Sequence, residues 1–268
     1  MGTIAAVQSR TAAADALADA FARVQDSFVR VNAEFSRFDP QSTLRRLGRV
    51  SAFGQSCWDA AMWLRETSGT AFDPFWRGAG VPDFGAIAKG FAVDVAAEAT
   101  EDADDLLIDL GGNVKAVRGD WTTGVRNLRG DGLAAVVTLR AGEALATSAE
   151  YFRGKHIRDG RTGQPVSNGV ASVTVLCTSA MWADGLSTTL FVLGPEAGRR
   201  FLHERFAASS VGTGPAFEMG TAPADMGTDP KGTGPVNVGT GLAVLWLMDD
   251  GCAVTVDPAA RFRLTSQP

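Results

Sequence analysis

Between residues 11 and 35, apolar side chains recur at spacings of four and three: Leu17, Phe21, Val24, Phe28, Val31 and Phe35. Asp15, Asp19, Arg23, Asp26 and Arg30 occupy the positions between them. An apolar stripe with a charged back predicts a long helix packed along a core. The pattern then shortens. Asp39-Pro40 marks a turn, and Ser42 can cap a short helix that ends on Arg45 and Arg46, where cations suit the helix dipole. A second short amphipathic helix is predicted over 58–66. Residues 71–85 carry Gly78, Gly80, Pro82 and Gly85 and read as a loop. From Ala86 onward, Ala88, Ala92, Val95, Ala96 and Ala99 predict a helix whose amino end opens out of that loop.

From residue 105 the period changes. Apolar runs at 105–110, 114–118, 121–126, 133–139, 144–147 and 171–177 are punctuated by Gly111-Gly112, Gly119-Asp120 and Gly130-Asp131-Gly132. They predict successive strands of a largely antiparallel sheet. Runs at 242–248 and 252–256, either side of Asp249-Asp250-Gly251, predict a hairpin that completes it. Two helical segments intervene, one from Ser179 and an amphipathic one over 196–206 that carries His203. The fold class expected is α+β, a single domain over 1–268 with a largely antiparallel sheet core flanked by helices. The stretch 208–241 breaks the pattern. It repeats GTGP and MGT twice each and reads as a Gly/Pro/Thr-rich insertion.

Composition narrows the functions open to such a domain. A chain of 268 residues, 45% hydrophobic and 21% charged, can bury a full core. A net charge of −5 argues against nucleic acid as a partner. No run of about 18 apolar residues suggests a membrane span. Cys57, Cys177 and Cys252 are odd in number and widely spaced, and are expected as buried reduced thiols. No basic segment followed by an apolar core opens the chain, so the expected setting is cytoplasmic.

The candidate chemistry lies where the polar pattern is thinnest. From Thr162 to Pro195 the only charged residue is Asp184, set among Val173, Val175, Leu186, Leu190 and Phe191. A carboxylate in such surroundings must be paired, protonated or metal-bound. On a helix, Ser187 and Thr188 fall at i+3 and i+4 from it, on the same face. One carboxylate with hydroxyls is a donor set that suits a hard cation such as Mg²⁺. A structural carboxylate satisfied by an arginine or a backbone N–H is the alternative. Lys89 stands in the first turn of the helix after the 71–85 loop, against the helix dipole, which suggests an anion there. His156 lies in the polar segment 151–166, just ahead of the strand that leads to Asp184, and a solvated loop histidine is its simplest reading.

In ordered blocks over nearly its whole length, the chain resembles the ApbE family, the FAD:protein FMN transferases. Met1-Gly2-Thr3 is similar to the block that opens the family's domain, and FSRFDPQSTLRRL at 35–47 and Ala71-Phe72-Asp73-Pro74 resemble the next two. DFGAIAKGFAVD at 83–94 is similar to the family's DLGGIAKGYAVD. The turn at 109–113, Ala146-Thr147-Ser148, the HIxDxxTG pattern at 156–163 and the long block at 172–194 follow in family order. The resemblance implies Mg²⁺ held by Asp184, Ser187, Thr188 and the Ala86 carbonyl. It implies FAD as substrate, contacted by Met1, Thr43, Leu44, Arg45, Ala71, Phe72, Asp73, Asp83, Lys89 and Arg158, with Lys89 facing phosphate. His156 carries over as the catalytic histidine, and Asp184 is an alternative base. The implied reaction transfers the FMN moiety of FAD to a Thr or Ser hydroxyl of a target protein and releases AMP. An FAD pyrophosphatase or a non-catalytic FAD-binding protein would use the same pocket. The chain departs from the pattern at Asp159-Gly160, where the family has Asp-Pro, which implies a less rigid loop. It also departs in a shorter segment from 148 to 156 and in the stretch 208–241.

Overall fold

The structure, a computed structural model, describes residues 3–78, 80–128, 131–150, 154, 156–206 and 241–265. Met1 and all but the last residue of the Gly/Pro/Thr-rich stretch lie outside the described residues. Five helices are described: α1 (Ala14–Phe35), α2 (Thr43–Leu47), α3 (Gln55–Thr67), α4 (Ala88–Ala99) and α5 (Ala180–Phe206). Ser42 caps α2 as its sequence predicts, its Oγ accepting the Arg45 N–H at 3.2 Å. The buried face of α1 is rotated from the stripe toward Ala20, Ser27 and Glu34. Phe21 falls at the edge of that face and is 44% exposed. Leu17 and Phe28, to either side of it in the stripe, are partly buried against the core.

The strands form two antiparallel sheets rather than the single sheet expected. Seven strands run in the order β1-β2-β3-β6-β7-β8-β9: β1 (Ala5–Gln8), β2 (Leu106–Leu110), β3 (Asn113–Arg118), β6 (Ala144–Ala149), β7 (Val170–Cys177), β8 (Ala243–Met248) and β9 (Ala253–Val256). The other three, β10 (Arg263–Leu264), β5 (Leu133–Leu139) and β4 (Trp121–Arg126), form a second small sheet. The reason lies in the main strands, which are apolar on both faces. Ile108, Val175, Val244 and Trp246 point into a core shared with the helices. Leu107, Leu176, Leu245 and Leu247 point the other way and pack with Trp121, Val137, Leu139 and Phe262 of the second sheet and its approach. Helices therefore cover one face of the large sheet and the small sheet covers the other.

Two features of this layering position the site. Helix α5 is broken at Gly194 (φ 72°, ψ 174°) just before Pro195, so it comprises a core helix and the amphipathic segment the sequence predicts. Its amino end is held by Asp94 of α4. The Asp94 carboxylate accepts the Ser179 hydroxyl at 2.7 Å and the backbone N–H groups of Ala180 and Met181 at 3.0 and 2.9 Å. Lys115 of β3 closes the cluster, its Nζ 2.7 Å from the same carboxylate. Sequence reading does not find this cap, because the capping side chain comes from another helix. Asp94→Ala should lower stability by about 2–3 kcal/mol, since it frees two helix N–H groups and a half-buried ammonium together. Thermal melting against the parent chain measures the loss.

Candidate active site

Asp184 sits on α5 with 3% of its surface exposed, facing α4. Lys89 Nζ donates to both of its carboxylate oxygens, at 2.7 and 2.9 Å. The Gly90 backbone N–H donates to Asp184 Oδ2 at 3.0 Å. The buried charge is thus satisfied by an ammonium and an amide, as its surroundings demand. Lys89 also donates to the Gly85 carbonyl at 3.1 Å. Its first-turn position lays it directly over the carboxylate.

The approach of the two helices rests on a glycine. A Cβ built on Gly90 would lie 2.1 Å from the Ala180 carbonyl oxygen and 2.8 Å from Asp184 Cβ. Only a residue without a side chain lets α4 run this close to the turn that carries Asp184.

Ser187 and Thr188 do share one face of α5 with Asp184. Ser187 Oγ donates to the Asp184 carbonyl at 2.9 Å. Ser148 of β6 links the two hydroxyls, its Oγ 2.8 Å from Ser187 Oγ and 2.9 Å from Thr188 Oγ1. Sequence reasoning missed Ser148 as a partner, although it ends the Ala146-Thr147-Ser148 block. The carbonyl that meets the ammonium is that of Gly85, one residue before Ala86. An ammonium held by one carboxylate and one loop carbonyl is a stand-in cation, so the residues present fit a positive ion. Among the described residues no group of three or more His, Cys, Asp or Glu side chains could hold a metal. An ion here would be held by oxygen from one carboxylate, hydroxyls and a carbonyl, a donor set for Mg²⁺ rather than zinc.

The 71–85 loop borders this centre through Gly85, and the 156–166 loop docks onto the 71–85 loop. In the first, Asp73 accepts Arg65 Nε at 2.8 Å and the Phe75 N–H at 2.9 Å. Asp83 accepts the Gly85 N–H at 3.0 Å and pairs with Arg37 at 3.1 Å, with Arg77 at 3.7 Å. Leu44, Ala71 and Phe72 are buried in the core, so only their backbones can meet a ligand. Thr43 is half-buried and Arg45 exposed. The second loop carries Arg158, whose guanidinium carbon lies 5.7 Å from the Trp76 ring centre. The slack expected at Asp159-Gly160 is absent. Gly160 donates to the Ala71 carbonyl at 3.2 Å, and a Cβ there would lie 2.3 Å from the Thr70 carbonyl oxygen. Hydrogen bonds from Asp159 N–H to the Gln164 carbonyl and from Val166 N–H to the Ile157 carbonyl tie the loop to itself.

His156 is exposed at the start of this second loop, with Nδ1 2.9 Å from the Gly154 carbonyl oxygen. Among the described residues no hydrogen bond links it to Asp184. The cysteines are poor candidates for chemistry. Burial pushes the Cys57 thiol well up and that of Cys177 up to about 12, so neither is a thiolate at neutral pH. Cys57 and Cys177 are free thiols, and Cys252 is exposed in the last hairpin rather than buried.

The ApbE family's sequence model matches residues 81–210, which include Lys89, Ser148, His156, Asp184 and Thr188. Over this stretch the chain is similar to the ApbE family. A Klebsiella pneumoniae relative is 38% identical over 134 residues, 46% of this chain and 42% of that protein. A Vibrio cholerae relative is 36% identical over 132 residues, 43% of this chain and 40% of that protein. Both are named FAD:protein FMN transferase. The matched chain spans about two fifths of the length of these relatives. The ApbE fold extends further than the sequence match. The flavin transferase ApbE from Vibrio cholerae superposes with a TM-score of 0.70 at 21% identity, covering 97% of this chain and 95% of that one. The ApbE protein of Thermotoga maritima gives 0.67 over 92% of this chain and 91% of its own, also at 21% identity. At such identity the likeness establishes the fold, an antiparallel sheet with helices.

Proposed function

We propose that this protein is a Mg²⁺-dependent FAD:protein FMN transferase. It moves the FMN moiety of FAD to a Thr or Ser hydroxyl of a target protein and releases AMP. The observation that carries this reading is the buried Asp184 carboxylate that already holds a cation against the Gly85 carbonyl, within the stretch shared with the transferases. Asp184, Ser187, Thr188 and a loop carbonyl at Gly85 or Ala86 would hold Mg²⁺. Bound there, the ion supplies positive charge for the pyrophosphate oxygens of FAD. Phosphoryl transfer needs positioning and charge neutralisation more than covalent help. The 71–85 loop, with Asp73 and Asp83 fixed by Arg65 and Arg37, and the docked 156–166 loop, with Arg158, would position the dinucleotide. Thr43 and Arg45 border it, and Leu44, Ala71 and Phe72 reach it through their backbones.

His156 would take the proton of the acceptor hydroxyl. An imidazole suits that task near neutral pH, and its exposure leaves room for a protein acceptor. His156→Ala should slow transfer about a hundredfold or more, with FAD affinity changed by no more than about threefold. Stopped-time transfer assays and FAD titration separate the two. Lost affinity with normal turnover would remove the histidine from the proton transfer.

The free thiols fit a reducing compartment, and the cytoplasm is the setting we propose. Among the described residues no helix is long and apolar enough to cross a membrane. The function is tested by incubating the protein with FAD, Mg²⁺ and candidate acceptor proteins, then following AMP and acceptor mass. AMP matched by a gain of one FMN phosphoryl on the acceptor supports transfer. AMP with no mass gain on any acceptor would mean hydrolysis.

A further inference from the structure

We infer that Lys89 is a resident counter-ion that a metal must displace, so that it couples metal binding to dinucleotide binding. The inference rests on the metal site proposed above. The ammonium occupies both oxygens of Asp184, at 2.7 and 2.9 Å, and the Gly85 carbonyl at 3.1 Å. Those are donors a divalent ion would need. The one negative charge of Asp184 cannot serve two cations at bonding distance, because the two positive charges repel strongly in a half-dry site. Asp184 cannot turn away to meet the ion elsewhere, since the Gly90 N–H and the close α4–α5 approach fix it. The mobile partner is therefore the lysine. Its side chain is 23% exposed against 5% for Asp184, and its four-carbon stem ends at the mouth of the pair.

Metal entering alone must strip Lys89 from its carboxylate and leave the ammonium without an anion. A dinucleotide entering with the metal supplies phosphate for the displaced ammonium. Each ligand then removes a cost that the other would otherwise meet, which makes their binding mutually favourable. Lys89 acts here as a positioning residue that sets the loading of the site, besides any contact it makes with the phosphates.

Two measurements on the full chain test this without reading turnover. In the first, Mn²⁺ is titrated without nucleotide into the parent protein and into Lys89→Met, which keeps the stem and removes the charge. Lys89→Met should bind Mn²⁺ about tenfold more tightly, within the usual range of coupling between sites. Equal or weaker binding by a folded Lys89→Met would overturn the inference while leaving the metal site standing. No saturable Mn²⁺ binding by either protein would overturn the metal site and the inference with it. In the second, the unaltered protein is treated with an amine-selective reagent and the labelling of its four lysines is followed by peptide mass spectrometry. Saturating Mn²⁺ should speed labelling of Lys89 several-fold, with Lys115 as the internal control. Labelling of Lys89 that does not respond to bound Mn²⁺ would overturn the displacement.

Discussion

Asp184→Asn should reduce Mg²⁺-dependent FAD turnover by about 10²–10³-fold, the scale of removing one preorganised charge from a reacting centre. Asparagine has the shape of aspartate, and its carbonyl can still accept the Gly90 N–H that Asp184 Oδ2 accepts at 3.0 Å. What disappears is the negative charge that holds the ammonium now and would hold the metal. The structural cost should be small beside this. Lys89 is partly exposed and can turn to water once its carboxylate is gone, so it is not left as a buried unpaired charge. A melting temperature within a few degrees of the parent, with turnover lost and metal titration flattened, is the expected combination. Normal turnover in the folded variant would remove Asp184 from the metal site.

Gly90→Ala should be the more damaging change to the architecture, although alanine is the better helix former. The new methyl would sit 2.1 Å from the Ala180 carbonyl oxygen, which is backbone and cannot rotate away. Helices α4 and α5 must separate by about an ångström to relieve it. Overpacking of this kind costs about 1–3 kcal/mol. Separation would also pull Asp184 off the Gly90 N–H and away from the Gly85 carbonyl, so the fold and the site should fail together. Thermal melting should fall by several degrees, and Mn²⁺ affinity should drop in the same variant. A variant as stable as the parent, binding Mn²⁺ as tightly, would show that the helices do not depend on this contact.

These two positions also mark what could be read in the chain before its fold was known. Asp184 was legible because it interrupts an apolar stretch, and Ser187 and Thr188 because helical spacing alone puts them on its face. Lys89 was legible as a charge that opposes its helix dipole, but its partner lies 95 residues away. Gly90, Asp94 and Ser148 were not singled out. Each acts through a contact between elements, such as the 85 residues from Asp94 to Ser179 or the 40 from Ser148 to Thr188. No local period encodes such pairs. The fold shows the same division. All seven strands of five or more residues and the four-residue β9 were found from their apolar runs, while β1 and β10, of four and two residues, were not. The runs predict one sheet flanked by helices, and nothing in them says that β4 and β5 form a second sheet covering one face.

Asp184 is where, on the proposed reading, a divalent cation meets the pyrophosphate of FAD. Anomalous scattering from crystals soaked with Mn²⁺ and ADP tests it most directly. A single strong peak in bonding contact with an Asp184 carboxylate oxygen, next to the pyrophosphate and with Lys89 turned onto phosphate, is the predicted result. Ordered ADP with no peak at Asp184, or a peak elsewhere with Lys89 still on the carboxylate, would contradict it.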